Sequence, residues 1–403
     1  MCKCKIFTVQ EAIMKRVVLF FTIVILLFTV QSFAATFNVS DVSGLSSALS
    51  TAASNGEDDT INIAAGTYAF STPLFYNAAT GEGNLIVSGD SALTTILDGG
   101  ESSRLLEFSV SSGQGATITI SNLTLQNGSA VTSGAMVVSL VDTNLTLDSC
   151  IFQNNHSTTS GPGAAYIYSH ENQLSNVSCR VQNSIFINNL SDGSDGSLLV
   201  HTAVSHLDLI NNTFANNEST GSGHYASGGG LKLYDYSDSG AVSVINNIFW
   251  NNEGTYSSGK DLDILAHGGA VYLYNNDFTD CEDFDTHADT WLLIHGQGSY
   301  AQAGNITGDP VIVSTSDAHL QSSSPCIDVG LIPAGLDLPV TDFEGDNRIL
   351  NGSVDIGADE YRSTAVASTA SVPTMNEWGM IIFSLLMAGL SFWFIRKRDH
   401  DSC

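Results

Sequence analysis

Through the middle of this chain apolar and polar positions alternate in short runs. Leu207 and Leu209 lead to Phe214, and Val242 and Val244 lead to Phe249. Period two marks a strand with one buried face. The runs sit inside a recurring phrase: LTLDSCIFQNN at 145–155, CRVQNSIFINN at 179–189, LDLINNTFANN at 207–217 and VSVINNIFWNN at 242–252. A worn copy, VYLYNNDFTDC, covers 271–281, and an earlier one, ITISNLTLQNG, covers 118–128. Phe152, Phe186, Phe214, Phe249 and Phe278 mark the copies, with Leu125 in the same slot before them. Their spacings, by subtraction, are 27, 34, 28, 35 and 29 residues. A period of this size means stacked repeats.

Each period holds a second apolar run, such as MVVSLV at 136–141, AYIYS at 165–169 and GGLKLYDY at 229–236, most of them preceded by glycine. Strand, corner, strand and Gly-rich loop, without a helical period, describe a coil of parallel strands. One coil cannot bury its apolar face, and stacking makes a continuous core. Equivalent residues then lie one strand spacing apart, ~4.8 Å. Phe152, Phe186, Phe214, Phe249 and Phe278 are expected to form an internal stack. Asn183, Asn211, Asn246 and Asn275 are expected to form an Asn ladder at one corner, and Asn154, Asn188, Asn216 and Asn251 a second. A sugar-binding surface is the other use for so many Asn. The ladder is preferred, because these positions are tied to the corner register, where Asn tolerates left-handed backbone.

This pattern resembles the right-handed parallel β-helix proteins of the pectate-lyase-like superfamily, over roughly residues 37–329. The stretch EDDTINIAAGTY at 57–68 looks like the first coil and LIVSGDSALTTILDGG at 85–100 like the next. The expected fold is all-β: a single-stranded right-handed solenoid over 35–329, with helices only in an export signal and a C-terminal span.

Charge and ends narrow the compartment. The chain carries 13 basic against 41 acidic residues, net −28, which repels nucleic acid and anionic lipid. Lys15-Arg16, the apolar run 17–30 and Ser32-Phe33-Ala34 form an export signal over 1–34. Met14 is an alternative start. Cys150, Cys179, Cys281 and Cys326 remain in the exported body, with three possible pairings. Cys150 and Cys179 fall at different registers, so free buried thiols are expected for that pair.

Residues 305–361 resemble the choice-of-anchor Q element found after β-helices on bacterial surface proteins. The likeness rests on Asp309-Pro310, Ser324-Pro325, Asp328, Gly330, Asp342, Gly345, Arg348, Asp355-Ile356-Gly357-Ala358 and Glu360. We expect 330–361 to cap the open stack, with Arg348 as a structural hub. A Ser/Thr/Ala linker spans 362–371. Then Val372-Pro373-Thr374-Met375, Glu377-Trp378-Gly379, an apolar span at 379–395 and Arg396-Lys397-Arg398 follow. That order resembles the IPTL-CTERM signal handled by exosortase-type machinery. The resemblance implies a Gram-negative source, export, transient or permanent membrane anchoring, and a cell-surface or matrix destination.

Chemistry is sparse. The coil region offers only Arg104, Arg180, Lys232 and Lys260 as cations, with no shared lyase or hydrolase motif, so no catalytic residues are assigned. Asp280, Glu282, Asp283, Asp285 and Asp289 crowd one loop and suit Ca²⁺. Tyr225, Tyr234 and Tyr236, beside His224, suit a sugar ring. The expected role is structural, adhesive or glycan-binding, with a polysaccharide lyase or hydrolase as the alternative.

Overall fold

A computed structural model describes residues 34–362, apart from 79, 111–114, 170–176, 194, 222–227, 238, 256–259, 281–291, 297, 336 and 351. The expected export signal (1–33) and the expected span 379–395 lie outside these residues. Among the described residues no helix is long and apolar enough to cross a membrane.

The strands stack into a parallel β-solenoid with sheets of ten, nine, eight and five strands running along it. The repeat phrase crosses the corner between two of them. Its alternating half, such as Ala241–Ile245, joins the ten-stranded sheet, and its Phe half, such as Ile248–Trp250, joins the nine-stranded sheet. The second apolar run of each period, such as Leu231–Asp235, joins the eight-stranded sheet. Successive coils pair in parallel and in phase: Phe152 faces Phe186, then Phe214, Phe249 and Phe278, with Leu125 continuing the column. The rings stack at 4.8, 4.8, 5.1 and 5.2 Å and are tilted by no more than 7°. All five are fully buried. Each such contact adds about 0.5–1.5 kcal/mol beyond area burial.

The coil ends are closed by local chemistry. Helix α1 (Val42–Ala52) begins at Asp41, whose side chain accepts from the Gly44 N–H at 2.7 Å. Leu45, Ala48, Leu49 and Ala52, one face at helical spacing, are buried against the first coil. This helix was not expected: its Ser-rich, weakly apolar sequence hides the spacing. At the far end the inward column Val242, Val271 ends on Tyr300, and Val244, Leu273 ends on Gln302. Gln302 Oε1 accepts from Asn305 Nδ2 at 3.1 Å. Polar tips thus replace aliphatic side chains where the stack stops.

The expected Asn ladder is displaced by one residue. Asn183, Asn211, Asn246 and Asn275 have φ of 50, 52, 57 and 49°. They supply the left-handed turn, which costs most other residues about 1–2 kcal/mol. The continuous ladder belongs to the next position. Asn212 Nδ2 donates to Asn247 Oδ1 (2.9 Å), Asn247 to Asn276 (3.0 Å), and Asn276 to Asn305 (3.1 Å). The second corner repeats the arrangement. Asn154, Asn188, Asn216 and Asn251 are left-handed, while Asn155, Asn189, Asn217 and Asn252 form the buried ladder. The reason is geometric: in each Asn-Asn pair one residue makes the turn, and the other points inward to satisfy corner backbone groups.

Residues 309–361 also depart from expectation. They lie along the outside of the solenoid as a lateral strap. A hairpin (Ile312–Ser314 with Asp317–Leu320) packs near Asn188 and Asn216, both of which donate to the Thr315 carbonyl. The chain then passes Asn275, Asn246 and Asn183 in turn and comes back to Asn211. A preformed groove of corner amides and outward apolar side chains accounts for this course better than an open end does.

Candidate functional site

Two outer surfaces hold polar chemistry, and the repeat builds both. The first is the corner row under the strap. Asn246 pairs with the Leu331 backbone in both directions, donating at 2.9 Å and accepting at 2.7 Å. Asn275 donates to Val329 O at 2.8 Å, Asn211 to Asp355 O at 3.0 Å, and Asn183 to Thr341 O at 2.8 Å. Arg348, with no exposed surface, donates to Asn183 Oδ1 and Ala358 O at 2.7 Å each, and to Gly357 O at 3.1 Å. Burial pulls its pKa down, and Glu360 and three Asp carboxylates oppose that. Gly357 sits at φ 107°, and a Cβ there would meet Ile248 Cδ1 at 2.5 Å. Asp277, in the outward slot held by Ile248 one coil earlier, is buried and accepts from Cys326 Sγ at 3.3 Å. Burial pushes Asp277 up to about 8. These groups lock a segment in place, and none is presented to a substrate.

The second surface is the outer face of the eight-stranded sheet. Alternation turns Tyr166 and Tyr168 outward from Ala165–Ser169, His201 from Leu198–Thr202, and Lys232 and Tyr234 from Leu231–Asp235. Registers set Tyr168, His201 and Tyr234 side by side, and Lys232 beside Asp263. Tyr166 stacks on Tyr168 at 4.9 Å, and His201 lies 5.7 Å from Tyr234 and 5.1 Å from Tyr236. The Tyr166 hydroxyl is 3.4 Å from His201 Nδ1. Tyr166, Tyr168, His201, Tyr234 and Tyr236 are all half-buried. Lys232 is buried, 3.1 Å from Asp195 and 5.0 Å from the Tyr234 ring.

The charges on this face are settled. Burial works against charged Lys232, but Asp195 and Tyr234 together outweigh it and leave its pKa raised. Burial, aided by Asp195, pushes Tyr166 up to about 12. Tyr234 is also raised, by burial first. At neutral pH Tyr166 and Tyr234 therefore stay protonated phenols, and Lys232 stays an ammonium paired with Asp195. That suits stacking and hydrogen bonding and gives none of these three the form of a general base.

Of the sequence candidates, Tyr234 and Tyr236 come together here, and Tyr225 lies outside the described residues. Of the acidic loop only Asp280 is described, and it is exposed; Glu282, Asp283, Asp285 and Asp289 lie outside. Cys150, Cys179 and Cys326 are free and buried, and burial raises the first two to about 12. Tyr166, Tyr168, His201 and Lys232 were missed as a group. They lie on three strands some 30 residues apart, and a register count of outward positions across those strands would have brought them together.

Residues 370–398 match the IPTL-CTERM motif, so the chain carries a C-terminal sorting signal of exported proteins. The motif residues Val372–Arg398 lie outside the described residues. No curated protein matches the chain.

Proposed function

We propose that this chain is an exported surface or matrix protein whose solenoid binds glycans, and that its tail delivers it to exosortase-type processing. Under this reading the body is a right-handed β-helix of the pectate-lyase-like kind, closed by a choice-of-anchor Q-like strap. The aromatic face of the eight-stranded sheet carries the proposal. The Tyr166 and Tyr168 rings lie 4.9 Å apart, those of His201, Tyr234 and Tyr236 lie 5.1 to 6.4 Å from one another, and the Tyr166 hydroxyl reaches His201 at 3.4 Å. That spread suits the flat faces of consecutive sugar rings, with hydroxyls free to bond. A polysaccharide lyase or hydrolase is the second reading, favoured only by Lys232 on the same face. Lys232 is held protonated, which stands against its use as the base.

Incubating the purified body with a panel of neutral and uronate glycans separates the two. Retention without new reducing or unsaturated ends is the expected result. Turnover would establish the enzyme, and neither retention nor turnover would remove this face from consideration. Mass spectrometry of the mature C-terminus tests the sorting half: surface material that still ends beyond Arg398 would rule out processing.

A further inference from the structure

We infer that the strap holds one transition-metal ion of the zinc class between His319, Glu344 and Asp359. The three come from separate segments: the second hairpin strand, the turn 342–346 and the strap's last residues. Their ligand atoms all lie within 4.8 Å of one another. His319 Nε2 is 3.1 Å from Glu344 Oε2. Tetrahedral bonds of about 2.0–2.1 Å place ligand atoms about 3.3 Å apart, close to that separation.

Three observations beyond proximity point to a metal. Asp317 Oδ1 engages His319 Nδ1 and also accepts the His319 backbone N–H at 3.1 Å. A carboxylate on one ring nitrogen fixes the tautomer and aims the other nitrogen outward, the usual support for a metal-binding histidine. Asp359, only 5% exposed, is positioned by accepting the Leu320 N–H through Oδ2 at 2.8 Å. The Glu344 turn is pinned by Asp342 Oδ1, which accepts from the N–H groups of Glu344, Gly345 and Asp346. The His319 and Glu344 side chains each keep 31% of their surface exposed, which leaves a path for an ion and room for a water ligand. One imidazole with two carboxylates suits zinc and its neighbours and offers little to Ca²⁺, which takes six to eight oxygens. The ion would staple the hairpin to the turn and the strap end, close to the Phe343 ring, which lies 5.1 Å from His319.

The competing description is an imidazolium held by carboxylates alone, and the experiment is built to tell them apart. The full chain, purified without a histidine tag, is titrated with Zn²⁺ by calorimetry, with Ca²⁺ and Mg²⁺ in parallel. One Zn²⁺ per chain is expected, with a higher melting midpoint and slower proteolysis of the strap. His319→Gln should weaken binding at least 100-fold, and Asp317→Asn about 10–100-fold. Should His319→Gln fail to fold, the visible absorption of tetrahedral Co²⁺ in the wild type reports the same ligand set. Absence of stoichiometric Zn²⁺ binding, or equal binding by His319→Gln, overturns the inference and leaves an ion pair only.

Discussion

The nine-stranded sheet turns Ile151, Ile185, Thr213 and Ile248 outward, and the strap buries all four. The eight-stranded sheet turns Tyr166, Tyr168, His201 and Tyr234 outward, and these stay half-exposed. Both faces come from the same coils and the same alternation. What separates them is chemistry at the adjoining corner. Beside the nine-stranded sheet stands a row of left-handed Asn whose amides offer donors at every coil, so an irregular segment can satisfy its carbonyls there. The tyrosine face offers rings and hydroxyls instead, which suit a reversible ligand better than a permanent one.

The largest way to break this contrast is to remove the strap's anchor. Arg348→Ala would orphan Asn183 Oδ1 and take one of two donors from each of the Gly357 and Ala358 carbonyls, in a fully buried site beside Glu360. The expected loss is about 3–5 kcal/mol in urea unfolding, with strap residues cut first in limited proteolysis. If strap and coils instead unfold together with unchanged midpoint, Arg348 is not the anchor.

The next test separates two adjacent residues. Asn247→Ala removes an internal rung, leaving the Asn212 N–H and side-chain amide without their acceptor. It should cost about 2–4 kcal/mol. Asn246→Gly keeps the left-handed turn and loses the pairing with Leu331 and a longer bond to Asn211 Oδ1 (3.3 Å), about 1 kcal/mol in all. Equal effects would put both residues on the same footing and remove the division of labour argued above.

That division shows how far the sequence could be read. The period, the Phe column and the parallel coils follow from spacing alone, because each copy repeats the same alternation. Which Asn of a pair turns inward did not follow, since both side chains are chemically identical and only backbone handedness separates them. The strap's course was hidden for a related reason. It has no periodicity, and its partners lie up to 165 residues away, as between Arg348 and Asn183. Asp261 was hidden too: it closes the second ladder by accepting from Asn252 at 2.8 Å, where the next copy carries Cys281 in place of Asn.

Two buried carboxyls, Asp277 under the strap and Asp261 at the end of the second ladder, are also expected to make stability respond to pH. Asp277, at about 8, and Asp261, at about 7, are raised far above the ordinary carboxylate value, by burial first. A carboxyl whose folded pKa is raised binds its proton more tightly in the native state. Stability is then greatest near pH 4, falls as pH rises through 7 to 8, and levels off above. Asp277→Asn should flatten that fall and raise stability at pH 9 by about 1–3 kcal/mol. A stability profile that rises between pH 5 and 9 in the wild type would contradict the assignment.

The smallest effect on stability belongs to the uncovered face, and there it is the most telling. Tyr236 follows the strand Leu231–Asp235, is half-exposed, and meets His201 and His267 with its ring. Tyr236→Ser deletes a ring from a surface, not from the core, so melting should move by no more than about 1 kcal/mol. Retention on a glycan that the wild type binds should nonetheless fall several-fold, since a stacked ring contributes about 0.5–1.5 kcal/mol. Tyr68 gives the matched control: it is buried in the column that continues to Phe152, so its loss should destabilise without touching retention by the folded fraction. If Tyr236→Ser costs as much stability as Tyr68→Ala, the tyrosine face is a second packed surface, and the contrast with the strap-covered sheet disappears.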